Sequence, residues 1–217
     1  MTDTLFADVS EWQPPLDDSY PYPWVSIRSN DGTYRDRNFA ANWDTVRGWL
    51  DSGRLRGAIV YAVWRPNWDD TLATHIDMQG ENRPDVVTMI DVEGWGTYTN
   101  DYSDSINRLI WGAGDWRGPH IDGRPRRTIG YYNPNADPAL WTDRPPIGFV
   151  VPSYGSFPYF PPGTEDVANQ LIAHQYTDGQ GYGGGLPEGY DGVCCDMNAA
   201  NGYDPEQLRT ATGIDVP

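Results

Sequence analysis

Val-Val-Thr-Met-Ile-Asp-Val-Glu-Gly-Trp-Gly, residues 86–96, is the stretch of sequence that decides the fold. Its apolar, β-branched start predicts a buried strand, which ends at Asp91, Val92 and Glu93 before a Gly-Trp-Gly turn. Side chains alternate across a strand, so Asp91 and Glu93 lie on one side, with Cα atoms about 6.6 Å apart at about 3.3 Å per residue. Two carboxylates at that spacing repel each other, which raises the pKa of one and suits an acid catalyst. The alternative interpretation is a strand end that exposes two acids to water.

Predicted strands and helices alternate on both sides of this segment. Strands are predicted at 5–9, 24–28, 57–63, 86–93 and 128–132, and helices at 39–50, 70–78 and 103–116. Shorter strands follow at 148–151, 171–175 and 192–197, with a short helix from Asp137 and a last helix from Asp204 to about residue 211. Alternation of this kind implies a parallel sheet with right-handed crossovers. Eight or so strands in one chain of 217 residues predict a single α/β domain built as a barrel.

The composition excludes several classes of protein. A net charge of −16 makes nucleic acid and anionic membranes poor partners, and no stretch approaches the roughly 18 apolar residues of a membrane span. The Gly-rich segment 178–192 lacks the Lys-Ser/Thr of a phosphate-binding loop, so we expect no nucleotide. Cys194 and Cys195 are adjacent and are predicted to be two thiols in a buried strand. With three His residues they lack the spacing of a zinc site, and we expect no metal.

Polar side chains collect at the predicted strand ends, where a parallel barrel carries its chemistry. These candidate site residues are Asp8, Asp31, Tyr61, Asp91, Glu93, Tyr131, Tyr154, Gln175, Asp196 and Asn198. Carboxylates and neutral polar groups facing an aromatic-rich cleft suit a sugar polymer. Structural roles are the alternative: the tyrosines close the barrel mouth, and Gln175 bridges backbone groups.

Eight short motifs, in the same order along the chain, resemble one enzyme family. They are Asp8-Val9-Ser10, Asp31-Gly32-Thr33, Gly57-Ala58-Ile59-Val60-Tyr61, Asp91-Val92-Glu93, Tyr131, Tyr154-Gly155, Gln175-Tyr176-Thr177 and Asp196-Met197-Asn198. The pattern resembles glycoside hydrolase family 25, the muramidase-type lysozymes of phage endolysins and bacterial autolysins. The resemblance covers essentially the whole chain.

This resemblance implies a (β/α)5(β)3 barrel as one catalytic domain over residues 1–217. It also implies hydrolysis of the β-1,4 bond between N-acetylmuramic acid and N-acetylglucosamine in peptidoglycan glycan strands, with no cofactor. Glu93 corresponds to the general acid. Asp91 corresponds to the group that stabilises the oxocarbenium-like charge or positions the substrate's acetamido group. Asp8 and Asp196 line the site and orient water or tune Glu93. The stereochemical course stays open at this point, because the sequence gives only Cα spacing.

The chain departs from the family pattern at several positions. Asp31 stands where the family prefers Glu, and Val150 and His174 stand where it has Trp. We therefore expect Trp64, Trp95 or Trp12 to supply the surface on which sugars stack. The altered aromatic positions also leave a second hypothesis, a non-hydrolytic wall-binding or structural module of a phage tail. An enzyme of the same fold that acts on a different glycan is a third.

The start of the sequence and the charge lead to expectations about location. The chain runs almost directly into the first predicted strand, without the basic segment and apolar core of a secretory signal. We therefore expect a phage-derived protein that reaches the bacterial cell wall through a holin or on a virion. Because wall polymers are anionic, a net charge of −16 slows approach at low salt. We accordingly expect the domain to work tethered to a wall-binding region or to a virion.

Overall fold

Eight strands close into a barrel, and helices pack against its outside, in a single α/β domain. The structure is a computed structural model that describes residues 3–215, so two residues at each end of the predicted domain lie outside it. The barrel strands are β1 (Leu5–Val9), β2 (Trp24–Asp31), β4 (Gly57–Val63), β5 (Val86–Val92), β6 (Thr128–Tyr132), β7 (Gly148–Pro152), β8 (Leu171–Thr177) and β11 (Asp196–Ala200). Short strands outside the barrel are β3 (Tyr34–Arg35), which pairs with β2, and the hairpin of β9 (Gly189–Tyr190) and β10 (Val193–Cys194).

The first and last barrel strands close the sheet on itself. β1 pairs in parallel with β2 and antiparallel with β11, and the neighbours from β2 to β8 are all parallel, as the alternating pattern predicts. β11 is also antiparallel to β8, because the chain returns from β8 through a loop and a hairpin without a helical crossover. The amino end of β11 therefore meets the carboxyl ends of the other strands at one face of the barrel.

Five helices are described around the barrel. They are α1 (Phe39–Asp51), α2 (Trp68–Gln79), α3 (Ser103–Arg117), α4 (Glu165–Asn169) and α5 (Pro205–Ala211). The helices predicted at 39–50, 70–78 and 103–116 are confirmed to within two residues at each end. The predicted apolar faces of α1 and α3 are buried against the sheet: Trp43, Val46, Leu50, Ile106, Leu109, Ile110 and Ala113. No helix within residues 3–215 is both long enough and apolar enough to cross a bilayer.

Helix α2 has a weak apolar pattern because the face that it buries is polar. Thr71, His75 and Gln79 follow one another at four-residue spacing and are buried. One nitrogen of His75 lies 2.8 Å from the Ser29 hydroxyl, and the other lies 2.7 Å from the side-chain amide of Gln79. Burial and the nearby charge of Arg117 hold the pKa of His75 well below its usual value, so the ring is neutral. Helix α2 is therefore held against the barrel by hydrogen bonds between buried polar side chains, whereas α1 and α3 are held there by buried apolar side chains.

Helix α5 covers the end of the barrel opposite to the acids. Asp204 caps it by accepting hydrogen bonds from the backbone N–H groups of Glu206 and Gln207, as its Asp-Pro start predicts. Leu208 packs among the apolar side chains inside the barrel, the barrel-interior cluster, which includes Trp24, Ile59, Tyr61, Val63, Met89, Tyr131 and Val150. The indole N–H of Trp24 donates to the Pro205 carbonyl at 3.2 Å. This end is therefore filled with apolar side chains.

Several details differ from the sequence prediction, among them β2, which continues beyond residue 28 to Asp31, and the short strands β3 and β9, which were not predicted. Asp137 lies in a turn and starts no helix. The strand predicted at 192–197 is divided between β10 and β11, with Asp196 as the first residue of β11. Cys194 is exposed and only Cys195 is buried, so the two thiols do not share a buried strand. Helix α4 was not predicted, because its five residues are too short to show a period.

Candidate active site

A small cavity opens at the face where the parallel strands end. Its lining consists of Asp8, Tyr61, Met89, Asp91, Glu93, Tyr131, Gln175 and Asp196. All of these except Met89 are candidate residues predicted from the sequence. Strands β1, β5 and β11 supply the acids, so residues from both ends of the chain meet only because β1 pairs with β11.

Asp91 and Glu93 project from the end of β5 toward this cavity. Burial, followed by the charges of Glu93 and Asp8, raises the pKa of Asp91 well above its usual value. Burial, followed by the charges of Asp137 and Asp196, raises the pKa of Glu93 to about 7. Oδ1 of Asp91 is buried and has no hydrogen-bond partner within residues 3–215. Because two negative charges here would be both desolvated and mutually repelled, the pair retains a proton near neutral pH.

A second pair of acids lies across the cavity. Asp8 of β1 is directly opposite Asp196 of β11 in the antiparallel ladder. Burial and the charge of Asp196 raise the pKa of Asp8 to about 7, partly offset by hydrogen bonds from Tyr61 and Ser26, whose hydroxyl lies 3.1 Å from Oδ2. Burial and the charge of Asp178 raise the pKa of Asp196 to about 6. The site thus concentrates carboxyl groups that titrate near neutrality, as catalytic acids do.

The turn after Glu93 is held by a residue from another loop. Oδ2 of Asp137 accepts a hydrogen bond of 3.1 Å from the backbone N–H of Gly94. A side chain at Gly94 would come within 2.5 Å of the Tyr98 carbonyl, so only glycine fits here. Trp95 follows with φ of 43°, in the left-handed region. The Gly-Trp-Gly turn of the sequence therefore positions Trp95 beside the acid.

One arginine lies at the rim of the cavity beside Glu93. The guanidinium of Arg65 pairs with Asp31 at 2.6 Å, and its central carbon lies 4.6 Å from the centre of the Trp95 ring. Asp31 thus reaches the site through Arg65 and is not part of the cavity lining.

The predicted polar residues divide into three groups. Tyr61, Tyr131 and Gln175 line the cavity, and the Tyr131 hydroxyl donates to Oε1 of Gln175 at 2.9 Å. Asn198 is 1% exposed, and neither polar atom of its side chain has a partner among the described residues. Tyr154 is 47% exposed and stacks on Tyr182, with ring centres 5.2 Å apart.

The three tryptophans that were predicted to stack on sugars differ in their exposure. Trp95 is 55% exposed and Trp12 75% exposed, so both remain available to a ligand. Trp64 has no exposed surface and packs against Tyr98 and Tyr102, so the expectation that sugars stack on it is wrong. Val63, the residue before Trp64, belongs to the barrel-interior cluster. Because side chains alternate along a strand, the Trp64 side chain points out of the barrel and packs in a separate apolar cluster.

The two departures from the family pattern lie in different places. His174 bonds to the Gly155 carbonyl and lies on the opposite side of β8 from Gln175, so the change at 174 leaves the cavity unaltered. Val150 belongs to the barrel-interior cluster with Tyr61 and Tyr131, so the change at 150 does alter the interior.

The sequence interpretation missed Arg65, Asp137 and Ser26. Arg65 and Asp137 lie in loops after β4 and β6, where nothing in the spacing distinguishes them from solvated charges. Ser26 could have been found from the sequence, because it shares a face with Trp24 on a strand whose other face is apolar. In the described part of the chain, no group of three or more His, Cys, Asp or Glu side chains is arranged to hold a metal ion.

Comparison with known proteins identifies one curated relative. The uncharacterized protein Rv3766 of Mycobacterium tuberculosis is 46% identical over 219 residues, which covers 99% of this chain and 75% of that protein. No protein-family model matches the chain.

Several solved structures share the fold at low sequence identity. A family 25 glycosyl hydrolase from Bacillus anthracis has a TM-score of 0.70 at 14% identity, covering 96% of this chain and 93% of that one. The catalytic domain of the endolysin ply40, from a bacteriophage of Listeria monocytogenes, has a TM-score of 0.61 at 17% identity, covering 97% and 98%. The autolysin LytC of Streptococcus pneumoniae, solved with a synthetic peptidoglycan ligand, has a TM-score of 0.56 at 12% identity, covering 91% and 46%. These likenesses confirm the predicted barrel fold.

Proposed function

The chain belongs to the family of the uncharacterized Mycobacterium tuberculosis protein Rv3766 and has the fold of family 25 glycoside hydrolases, and we propose that it is an N-acetylmuramidase. The reaction is hydrolysis of the β-1,4 bond between N-acetylmuramic acid and N-acetylglucosamine in peptidoglycan. The observation that carries the proposal is the convergence of Asp8, Asp91, Glu93 and Asp196 on one cavity at the active face of the barrel.

Glu93 is the general acid in this proposal. Its raised pKa, about 7, keeps the carboxyl group protonated in mildly acidic to neutral solution. It is also less buried than Asp91, so it is the more accessible of the two to a glycosidic oxygen. Glu93 gives its proton to the leaving oxygen as the bond to the anomeric carbon breaks.

The other three acids stabilise the charge that develops on the sugar and position the water that attacks it. Asp91 and Glu93 share one proton, and when that proton lies on Glu93 the Asp91 carboxylate stabilises the positive charge that develops at the anomeric carbon, or positions the acetamido group when that group attacks. Asp8 and Asp196 bind and orient the water that completes hydrolysis. Tyr61, Tyr131 and Gln175 line the cavity and hold the sugar through hydrogen bonds, whereas Asn198 is too deeply buried to reach it. Trp95 and Tyr154 supply exposed aromatic faces.

Digestion of purified peptidoglycan, with reduction of the new ends and mass spectrometry, tests the proposal. Reduced muramic acid at the new ends supports a muramidase, whereas reduced glucosamine indicates a glucosaminidase. Glu93→Gln serves as the matched inactive protein. Intact polymer that nevertheless retains the protein would favour the wall-binding module.

The source and delivery of the protein form part of the proposal. A phage lysin fits the fold shared with the endolysin ply40, and a bacterial autolysin fits the 46% identity with a mycobacterial protein. In either case the substrate is the cell wall, and the acidic chain works attached to a wall-binding region or a virion. Genes for holins or virion proteins beside the coding gene would favour the phage source.

A further inference from the structure

Glu93 lies just beyond the part of β5 that is paired in the sheet. The pairing of β5 with β4 ends at Asp91, and its pairing with β6 ends at Val92, opposite Tyr132. The ladder therefore fixes the backbone that precedes Glu93. The backbone that follows Glu93 depends on contacts made by the loops.

The peptide group after Glu93 is bound by the side chain of Asp137. The nitrogen of this peptide group belongs to Gly94, and its N–H donates to Oδ2 of Asp137 at 3.1 Å. The other carboxyl oxygen packs on the same residue, since a Cβ at Gly94 would lie 2.7 Å from Oδ1. Because a peptide group is planar, a contact that holds its nitrogen also fixes the carbonyl carbon of Glu93. Together with the strand before it, this contact sets the direction in which the Glu93 side chain leaves the backbone.

Asp137 is itself held by hydrogen bonds to both sides of its turn. Its backbone N–H donates to the Asn133 carbonyl at 3.0 Å, and its own carbonyl accepts from the N–H of Leu140 at 3.0 Å. The hydroxyl of Tyr132 donates to the same carbonyl at 3.0 Å. Tyr132 is also the ladder partner of Val92, so the support for Asp137 begins on the strand beside β5.

The charge of Asp137 is not neutralised by a neighbouring arginine. Arg65 and Arg144, in the loops after β4 and β6, pair with Asp31 and Asp166. Among residues 3–215 no ion pair includes Asp137, and the Gly94 N–H is the hydrogen-bond donor to its carboxylate. A negative charge therefore lies at the start of the turn that follows the proposed acid.

We propose that Asp137 is a positioning residue for Glu93, because its carboxylate fixes the peptide group that follows the acid and supplies a negative charge beside it. The first effect directs the Glu93 carboxyl group toward the glycosidic oxygen. The second favours the protonated form of that group. This inference rests on the proposed role of Glu93 as the acid.

Several other charges act on Glu93 together with Asp137. After burial, the charge of Asp137 is the largest cause of the raised pKa of Glu93. The remaining groups face Glu93 from its own strand and from the strands and loops around it, and only the arginine among them opposes the effect: Arg65, Asp91, Tyr131, Tyr154 and Asp196. Removal of the Asp137 charge therefore lowers the pKa of Glu93 and leaves the other groups in place.

Three variants separate the two effects of Asp137. Asp137→Asn removes the charge and keeps an oxygen that can accept from the Gly94 N–H. Asp137→Ala removes both the charge and the acceptor. Asp143→Asn removes an exposed carboxylate from the same connection between β6 and β7, and is the control for loss of one negative charge.

Three measurements are made on each full-length protein. The first is the pH dependence of kcat and KM on peptidoglycan fragments. The second is a carbon-13 NMR titration of the glutamate carboxyl groups, in which Glu93→Gln identifies the Glu93 resonance. The third is the rate of hydrogen exchange at the Gly94 N–H. The last two need no turnover, and thermal unfolding checks that each variant is folded.

We expect Asp137→Ala to lower the maximal kcat roughly 10-fold with little change in KM, on the scale of lost acid–base positioning. Asp137→Asn should retain most of the maximal kcat, because its amide oxygen still binds the Gly94 N–H. In both variants the Glu93 titration and the alkaline limb of the rate profile move to lower pH. Exchange at the Gly94 N–H becomes faster in Asp137→Ala alone, and Asp143→Asn matches the wild type.

Two results would overturn the proposal. One is a Glu93 titration that is unchanged in both Asp137 variants. The other is an equal loss of maximal kcat in Asp137→Asn and Asp137→Ala. If Asp137→Ala does not fold, the Glu93 titration of Asp137→Asn decides. If the wild type releases no sugar ends, the muramidase assignment fails, whereas the titration and the exchange at Gly94 still decide whether Asp137 acts on Glu93.

Discussion

Asp8 and Asp196 lie directly opposite each other where β1 pairs with β11, so the closure of the barrel brings two carboxyl groups together. Like charges at directly opposed positions of a ladder destabilise a sheet, and burial adds to the cost of ionising them. The protein retains this arrangement at the one place where its first and last barrel strands meet. The pair therefore links the proposed chemistry to the stability of the fold.

We predict that Asp8→Asn stabilises the protein at pH 7.5. The folded-state pKa of Asp8, about 7, lies above the unfolded value of about 3.9, so its contribution to stability is complete below about pH 4 and is lost as pH rises through 7. An amide avoids that loss, and the gain is on the order of 2 kcal/mol, or a few degrees in Tm. Thermal unfolding at pH 4.5 and 7.5 measures it.

The gain in Tm from Asp8→Asn should be much smaller at pH 4.5, where the wild-type carboxyl group is already protonated. Asp104→Asn, on the exposed surface of α3, is the control and should be nearly neutral at both pH values. We also expect Asp8→Asn to lower the rate by roughly 10- to 100-fold. Equal shifts in Tm at both pH values would contradict the electrostatic explanation.

We predict that Glu93→Gln abolishes nearly all turnover while the fold is retained, because an amide cannot donate the proton. Asp91→Asn should also be severe, since it removes negative charge where positive charge develops. Release of reducing ends from peptidoglycan measures both, with circular dichroism to check folding. Glu81→Gln, in the loop after α2, is the matched control. Activity above a tenth of wild type in Glu93→Gln would exclude Glu93 as the acid.

The stacked pair of Tyr154 and Tyr182 predicts a contribution to binding glycan. Both rings are about half exposed, and the loop that carries Tyr182 is fixed by Glu188, which accepts hydrogen bonds from the backbone of Gly181 and Gly183. We expect Tyr182→Ala to raise KM about 5-fold with kcat nearly unchanged, because an aromatic face is lost away from the acids. Tyr182→Phe should behave as wild type. A loss confined to kcat would contradict a binding role.

The net charge predicts an unusual salt dependence of wall binding. A chain of charge −16 is repelled by anionic walls at low salt, and screening weakens that repulsion. We expect the isolated domain to sediment weakly with cell walls, and more strongly as salt rises toward physiological strength. Walls stripped of their anionic polymers provide the control and should remove the dependence. Tight binding at low salt that weakens as salt is added would refute the tethering proposal.

The sequence predicted most of this site because strand periodicity locates the polar residues that end barrel strands. Asp91 and Glu93 share a face for that reason, and the residues of β1, β4 and β6 follow the same rule. Arg65 was not predicted because its contact with Trp95 joins two loops that are separated in the sequence. The helix expected at Asp137 is absent because its carboxylate binds the backbone of Gly94 instead of capping its own segment. Local patterns do not contain such contacts between loops.

The pairing of β1 with β11 also has a consequence for biosynthesis. A ribosome makes β1 early and β11 last among the barrel strands, and long-range pairings of this kind form late in folding. Until β11 is docked, Asp8 lacks Asp196 opposite it, the interior of the barrel is open to water along one side, and the burial that raises the pKa of Glu93 is incomplete. The acid-lined cleft is therefore assembled only after the whole barrel has been synthesised, so a partly made chain does not carry it inside the producing cell.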